Sequence, residues 1–124
     1  MNNGILTRRQ AIDACMEFPG VYEDYPFDDV NWTVMRHGGN KKIFAMIFER
    51  QERIWVNLKA EPAWGDFWRS CYSAVVPAYH MNKEHWISVI LDGSMSREEI
   101  MRLIQDSFEL TAPKARKNKN TLRQ

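Results

Sequence analysis

Cysteine is scarce in this chain. Cys15 and Cys71 are the only two, and neither sits in a Cys-x-x-Cys pair, so there is no disulfide framework and no thiolate metal cluster. A single bridge between them is one possible state. Both fall on apolar helix faces, however, and buried free thiols in a reducing cytoplasm are the expected state. No stretch approaches the ~20 apolar residues of a membrane span. The N-terminal segment 1–9 lacks the long apolar run of a secretory signal. There is also no HExxH helix, no G-x-S-x-G elbow, no P-loop and no G-x-G-x-x-G turn, which removes the common metalloprotease, hydrolase and nucleotide-binding signatures. These absences leave a cytosolic protein with no membrane association.

A chain of 124 residues suffices for one domain with a real core and is too short for two ordinary ones. It carries 15 aromatic residues, five of them Trp (with four Tyr and six Phe), and most are expected inside, because large aromatics supply much of a small core's apolar area. The net charge of +1 conceals an asymmetry. Residues 1–110 hold 12 Lys/Arg against all 16 Asp/Glu, a net of −4, while residues 111–124 hold five Lys/Arg and no acid. Lys114, Arg116, Lys117 and Lys119 lie in this tail, where Leu122 is the one large hydrophobe. Such a segment cannot bury enough apolar surface to order itself. It reads either as a disordered basic arm or as a solubilising end with no partner. The expected division is a single domain over 1–110 and a basic tail over 111–124.

Thr7 with Gln10 forms a capping-box pattern that opens a helix over roughly 7–17, with Ala11, Ile12, Cys15 and Met16 as its apolar stripe. Residues 21–29 are acidic and aromatic without clear periodicity. Residues 32–36 and 42–49 have strand composition around the turn signal Gly38-Gly39-Asn40, and Gln51-Glu52 turns into a third strand over 54–59. In that strand Ile54, Val56 and Leu58 alternate with Trp55, Asn57 and Lys59. Pro62 suits the first turn of a helix in which Trp64, Phe67, Trp68 and Cys71 share one face. Residues 73–78 make a short strand, placed at an edge because Pro77 cannot donate to a ladder. A strand over 85–91 follows, and then a helix opened by the capping box Ser96 and Glu99, with Ile100, Met101, Leu103, Ile104 and Phe108 as its buried stripe. The order α-β(3)-α-β(2)-α with short turns implies an α+β domain of two layers, an antiparallel sheet packed against helices.

Segment 77–86 is the densest in chemistry. Tyr79, His80, Asn82, Lys83, His85 and Trp86 fall within ten residues, and side chains of these types bind anions, stack on planar groups or transfer protons. Phe18-Pro19-Gly20 with Tyr22-Glu23-Asp24-Tyr25-Pro26-Phe27, then Trp32-Thr33-Val34, Lys42-Ile43-Phe44-Ala45, Val56-Asn57-Leu58-Lys59, segment 79–86 and Leu91-Asp92-Gly93 together resemble the MmcQ/YjbR family of small bacterial proteins. The resemblance covers roughly residues 7–110 and leaves the tail outside. It implies the same α-β(3)-α-β(2)-α fold, similar to secretion chaperones and frataxin-like proteins. It also implies DNA binding through a double-wing arrangement, a property that rests on fold, and fold alone does not establish function. The family brings no catalytic residue set to transfer.

The function that follows is non-enzymatic DNA binding, weak and not strongly sequence-specific. Arg36, Lys41 and Lys42 at the first hairpin, with His80, Asn82, Lys83 and His85, would meet phosphates. Tyr79 and Trp86 would stack on bases, and Lys114, Arg116, Lys117 and Lys119 would add an electrostatic arm. Against it, the body lacks the basic excess of a DNA-binding domain, and hairpin lysines are ordinarily solvated edge charges. His80 and His85 with Glu23, Asp24, Asp28 or Asp29 would make a divalent-metal set, but His-x4-His across a turn is not a recurrent motif. No metal, cofactor or catalytic residue is assigned. The blander role for Asn82 and for at least one histidine is hydrogen bonding that fixes the turn. The alternative function is a protein-interaction or chaperone-like module without nucleic acid, binding by strand addition or in a groove. A monomer or weak homodimer is expected.

Overall fold

The computed structural model describes residues 4–114. Its elements are α1 (Arg8–Cys15), β1 (Val21–Asp24), β2 (Thr33–His37), β3 (Ile43–Arg50), β4 (Arg53–Lys59), α2 (Pro62–Cys71), β5 (Val75–Pro77), β6 (Trp86–Leu91) and α3 (Arg97–Thr111). The strands form one antiparallel sheet in the order β1-β2-β3-β4-β6-β5. The helices cover one face of it: Ile12 and Cys15 of α1, Trp68 of α2, and Ile100, Leu103 and Ile104 of α3 pack over Met35, Ile47, Val56, Leu58, Ile87 and Val89. This is the expected α+β architecture with one strand more.

The added strand is β1, in which Val21 and Tyr22 suit a strand but Glu23 and Asp24 carry little strand propensity. Pairing supplies what composition does not. Tyr22 lies opposite Arg36, Asp24 opposite Val34, and the Arg36 Nε donates to Asp24 Oδ2 at 2.7 Å. The short β5 closes the other margin, ending at Pro77 as the sequence implies.

Local signals are realised at the helix starts. Thr7 and Ser96 each accept from the backbone N–H of the third helical residue, and Gln10 and Glu99 reach back to complete both capping boxes. Pro62 opens α2 at its first position. Burial on α2 departs from the sequence reading, however. Of its apolar stripe only Trp68 is buried, whereas Trp64 is 49% and Phe67 47% exposed, and Cys71 is exposed as well. The helix approaches the sheet at Gly65, where an added Cβ would lie 3.4 Å from Ile87 Cγ2. Trp64 borders an open groove between α2 and α3, with Leu103 and Leu110 on its other side, and this leaves its ring half uncovered. Both cysteines are free thiols, and burial pushes the Cys15 thiol up to about 12.

Candidate functional site

The histidine-bearing loop between β5 and β6 folds back over the face of the sheet that the helices leave open. A buried polar trio pins it there. Asn57 Nδ2 donates to the Tyr79 carbonyl at 2.9 Å, the Tyr79 N–H donates to Ser88 Oγ at 2.9 Å, and the Ser88 hydroxyl donates to Asn57 Oδ1. Asn57 and Ser88 face each other across β4 and β6 and are fully buried, so each satisfies the other and the loop backbone together. Farther on, Asn82 Oδ1 accepts from the N–H groups of Glu84 at 2.8 Å and His85 at 3.1 Å, and the Asn82 carbonyl accepts from Trp86 N–H at 3.0 Å. Asn82 therefore closes the turn, as its chemistry suggests. His80 adopts φ 61°, a left-handed conformation uncommon for a side chain with a Cβ.

This backbone path carries Tyr79 and His80 into a wall of rings. Trp32 stacks on Phe48 at 4.2 Å between centroids, Tyr79 lies 5.6 Å from Phe48, and His80 lies 4.1 Å from Tyr79 and 6.4 Å from Trp32. The Arg50 guanidinium sits over Tyr79 at 4.2 Å and over Trp55 at 4.7 Å, a cation–π arrangement. Trp86 is elsewhere, partly buried, with the Lys59 ammonium 5.9 Å from its ring. Lys83 and His85 are exposed on the turn itself.

Loop 25–32 faces this wall. Asp29 Oδ1 accepts from Asn31 N–H at 2.9 Å, the Asp29 carbonyl accepts from Trp32 N–H at 3.2 Å, and Arg8 of α1 donates to both the carbonyl and Oδ1 of Asn31 at 2.7 and 2.8 Å. Between loop and wall lies a cavity of about 360 Å³ lined by Phe27, Asp29, Trp32, Met46, His80 and Met81.

The basic residues gather at another corner. In the β2–β3 turn Gly38 N–H donates to the Gly20 carbonyl at 2.6 Å, and a Cβ on Gly38 would lie 2.8 Å from that oxygen, so the turn needs glycine there. Asn40 Nδ2 donates to the Thr111 carbonyl at 3.0 Å, and Pro113 Cγ lies 3.0 Å from where a Cβ on Gly39 would stand. Beneath them the buried His37 places Nε2 2.8 Å from Thr111 Oγ1, which itself donates to the Ser107 carbonyl. Burial lowers the pKa of His37. The end of α3 is thus fastened to the hairpin. Lys41 and Lys42 on the hairpin side and Lys114 on the α3 side flank the Asn40–Thr111 and Gly39–Pro113 contacts in sequence, and all three are exposed. Arg36 is beside them, but its guanidinium is held by Asp24 and by the Lys41 carbonyl. Arg116, Lys117 and Lys119 lie outside the described residues.

The candidate residues therefore fall in three places: the basic corner, the ring wall, and the exposed turn with Trp86. Among the described residues no group of three His, Cys, Asp or Glu side chains is placed to hold a metal ion, and no helix is long and apolar enough to cross a membrane. The sequence reading missed Trp32, Phe48, Trp55 and Arg50 as members of the wall. The alternation in β4, with Trp55 and Asn57 opposite Ile54, Val56 and Leu58, was the available signal for part of it.

Known proteins share this arrangement of elements. The sequence model of the YjbR family matches residues 16–110. The chain is 35% identical to the YyaQ protein of Bacillus subtilis (strain 168), across 86% of this chain and 99% of that protein. It is 32% identical to the YjbR protein of Escherichia coli (strain K12), across 84% and 86% respectively. The crystal structure of the Deinococcus radiodurans protein DR2400 superposes with a TM-score of 0.81 at 28% identity, covering 96% of this chain and 91% of that one.

Proposed function

The chain belongs to the YjbR family, and from the basic corner of this molecule we propose that it binds nucleic acid in the cytoplasm, weakly and with little sequence discrimination, without catalysing a reaction. One observation carries this reading. The β2–β3 turn and the end of α3 are tied together by the Asn40–Thr111 hydrogen bond and the Gly39–Pro113 contact, so Lys41, Lys42 and Lys114 share a corner. From that corner the sequence continues into four more basic residues, Arg116, Lys117, Lys119 and Arg123, with no acid among them. Clustered Lys and Arg bind phosphates by releasing counterions, whatever the base sequence. The body's net of −4 keeps such binding weak and confines it to this corner. Arg36 contributes little, since Asp24 already neutralises it. Arg50 lies 4.2 Å over Tyr79 while Lys59 stands farther from Trp86, at 5.9 Å, which makes Trp86 the better base-stacking candidate of the two.

The test is fluorescence anisotropy of labelled duplex and single-stranded DNA at several salt concentrations. The wild-type chain is compared with Lys41→Ala/Lys42→Ala/Lys114→Ala and with Arg116→Gln/Lys117→Gln/Lys119→Gln. Each phosphate that a variant no longer neutralises should flatten the logarithmic salt slope by about 0.9 on duplex or 0.7 on single strands. Binding that ignores salt, or that survives both triple variants unchanged, would sink the reading.

A second reading, a protein-interaction module, has its own observation: the exposed Trp64 and Phe67 of α2 beside the 40% exposed Leu110 of α3. Complex formation that is insensitive to salt and abolished by Trp64→Ser would favour it over nucleic acid.

A further inference from the structure

The cavity on the open face of the sheet is not used by the basic corner, and its chemistry differs. Its walls are Phe27, Trp32, Met46 and Met81, apolar and polarisable, and the ring of Trp32 is fixed by its stack on Phe48. Two polar side chains reach the lining, Asp29 and His80. Asp29 uses Oδ1 for the Asn31 N–H and makes no ion pair among the described residues. Both walls are held before anything binds. Arg8 and the Asp29–Asn31 bond set one, while Asn57 and Ser88 set the other and hold the left-handed backbone at His80. Preorganised apolar walls with a few placed polar groups are the usual make-up of a small-molecule site, and about 360 Å³ falls at the small end of the range for such sites.

The charge around the cavity selects the ligand. Asp29 in the lining and Asp28 beside it in the loop make no ion pair among the described residues, whereas Asp24 of the neighbouring strand is paired with Arg36. The guanidinium nearest the ring wall, Arg50, lies over Tyr79 and Trp55 and is not part of the lining. An anion entering here would meet uncompensated carboxylates. We propose that this cavity binds one planar heteroaromatic ring system that is cationic or bears an amino donor, stacked between Phe27 and Trp32 and donating a hydrogen bond to Asp29. The site excludes phosphorylated and sulfonated rings, and it acts independently of the nucleic-acid corner.

The test uses the full chain with proflavine, a planar amino-bearing cation, followed by its own fluorescence anisotropy, and anilinonaphthalene sulfonate as a planar anion. Phe27 and Asp29 are exposed, so Phe27→Ala and Asp29→Asn leave the fold intact, and Asn at 29 keeps the Oδ1 acceptor for Asn31. Each should weaken proflavine binding about tenfold, the scale of one hydrogen bond to a charged group or one aromatic contact. Trp64→Ala and Lys41→Ala/Lys42→Ala should leave it unchanged, the latter even if they abolish DNA binding. The proposal is overturned if proflavine fails to bind, if it binds Phe27→Ala and Asp29→Asn as it binds the wild type, or if the sulfonate displaces it at comparable concentration.

Discussion

Two groups of aromatic rings in this protein were assembled in opposite ways. On α2 and at its C-cap, Trp64, Phe67, Trp68 and Tyr72 follow one another at helical spacing, with Trp64 and Trp68 stacked at 5.7 Å and Trp68 and Tyr72 at 6.0 Å. On the open face of the sheet, Trp32, Phe48, Trp55 and Tyr79 come from β3, β4 and two loops and meet at 4.2 to 6.5 Å. The helical group could be read as a stripe, yet Trp64 and Phe67 stand about half exposed. The sheet group could not be read as a group, yet Phe48 is 1% and Trp55 6% exposed. Periodicity reports which residues share a face, and only the extent of the partner surface decides whether that face is covered.

The largest test of this contrast is Phe48→Ala against Trp64→Ala in urea unfolding. Removing the buried ring should cost about 3–5 kcal/mol, whereas the exposed one should cost no more than ~0.5 kcal/mol. Equal losses would erase the distinction between the groups. Next comes Asn57→Ala, which strands the Tyr79 carbonyl and the Ser88 hydroxyl without their partner. A loss of about 1–3 kcal/mol is expected, together with a change in Tyr79 fluorescence as the loop loosens. An Asn57→Ala variant as stable as the wild type would show that the loop is held by ring contacts alone.

A smaller effect concerns pH. The folded pKa of His37 lies below its ordinary 6.5, so the unfolded chain binds the proton more readily. Stability from this group is complete above that value and declines as pH falls through it towards the lower folded pKa. The thermal midpoint should drop between about pH 7.5 and 5.5, and His37→Gln should flatten that drop. A midpoint that rises on acidification would contradict the assigned direction. The mildest probe needs no substitution. A thiol reagent should modify one cysteine per native chain, the exposed Cys71 at the end of α2, and reach Cys15 only on unfolding.

What the sequence disclosed follows the same division between local and distant causes. The capping boxes at Thr7 and Ser96, Pro62 at the head of α2, the glycine turn between β2 and β3 and the turn-closing Asn82 each depend on neighbours in the chain, and each was legible. Strand β1 was not, because Glu23 and Asp24 become strand residues only opposite Met35 and Val34. Segment 77–86 announced itself by composition. Its surroundings did not, since Trp32, Phe48 and Arg50 stand some thirty to fifty residues upstream and reach it only through the sheet register.

The margins of the sheet bear on how the protein behaves when concentrated. One margin is the three residues of β5, ending at a proline that has no N–H to offer, and the other is the four residues of β1, two of them carboxylates. An incoming strand finds few free backbone groups at either side and meets negative charge at one of them, so stacking of sheets edge to edge into fibres is disfavoured. Among the described residues six exposed aromatic or large aliphatic side chains lie on the loops and α2, and the short, charged margins disfavour their being drawn together by backbone polymerisation.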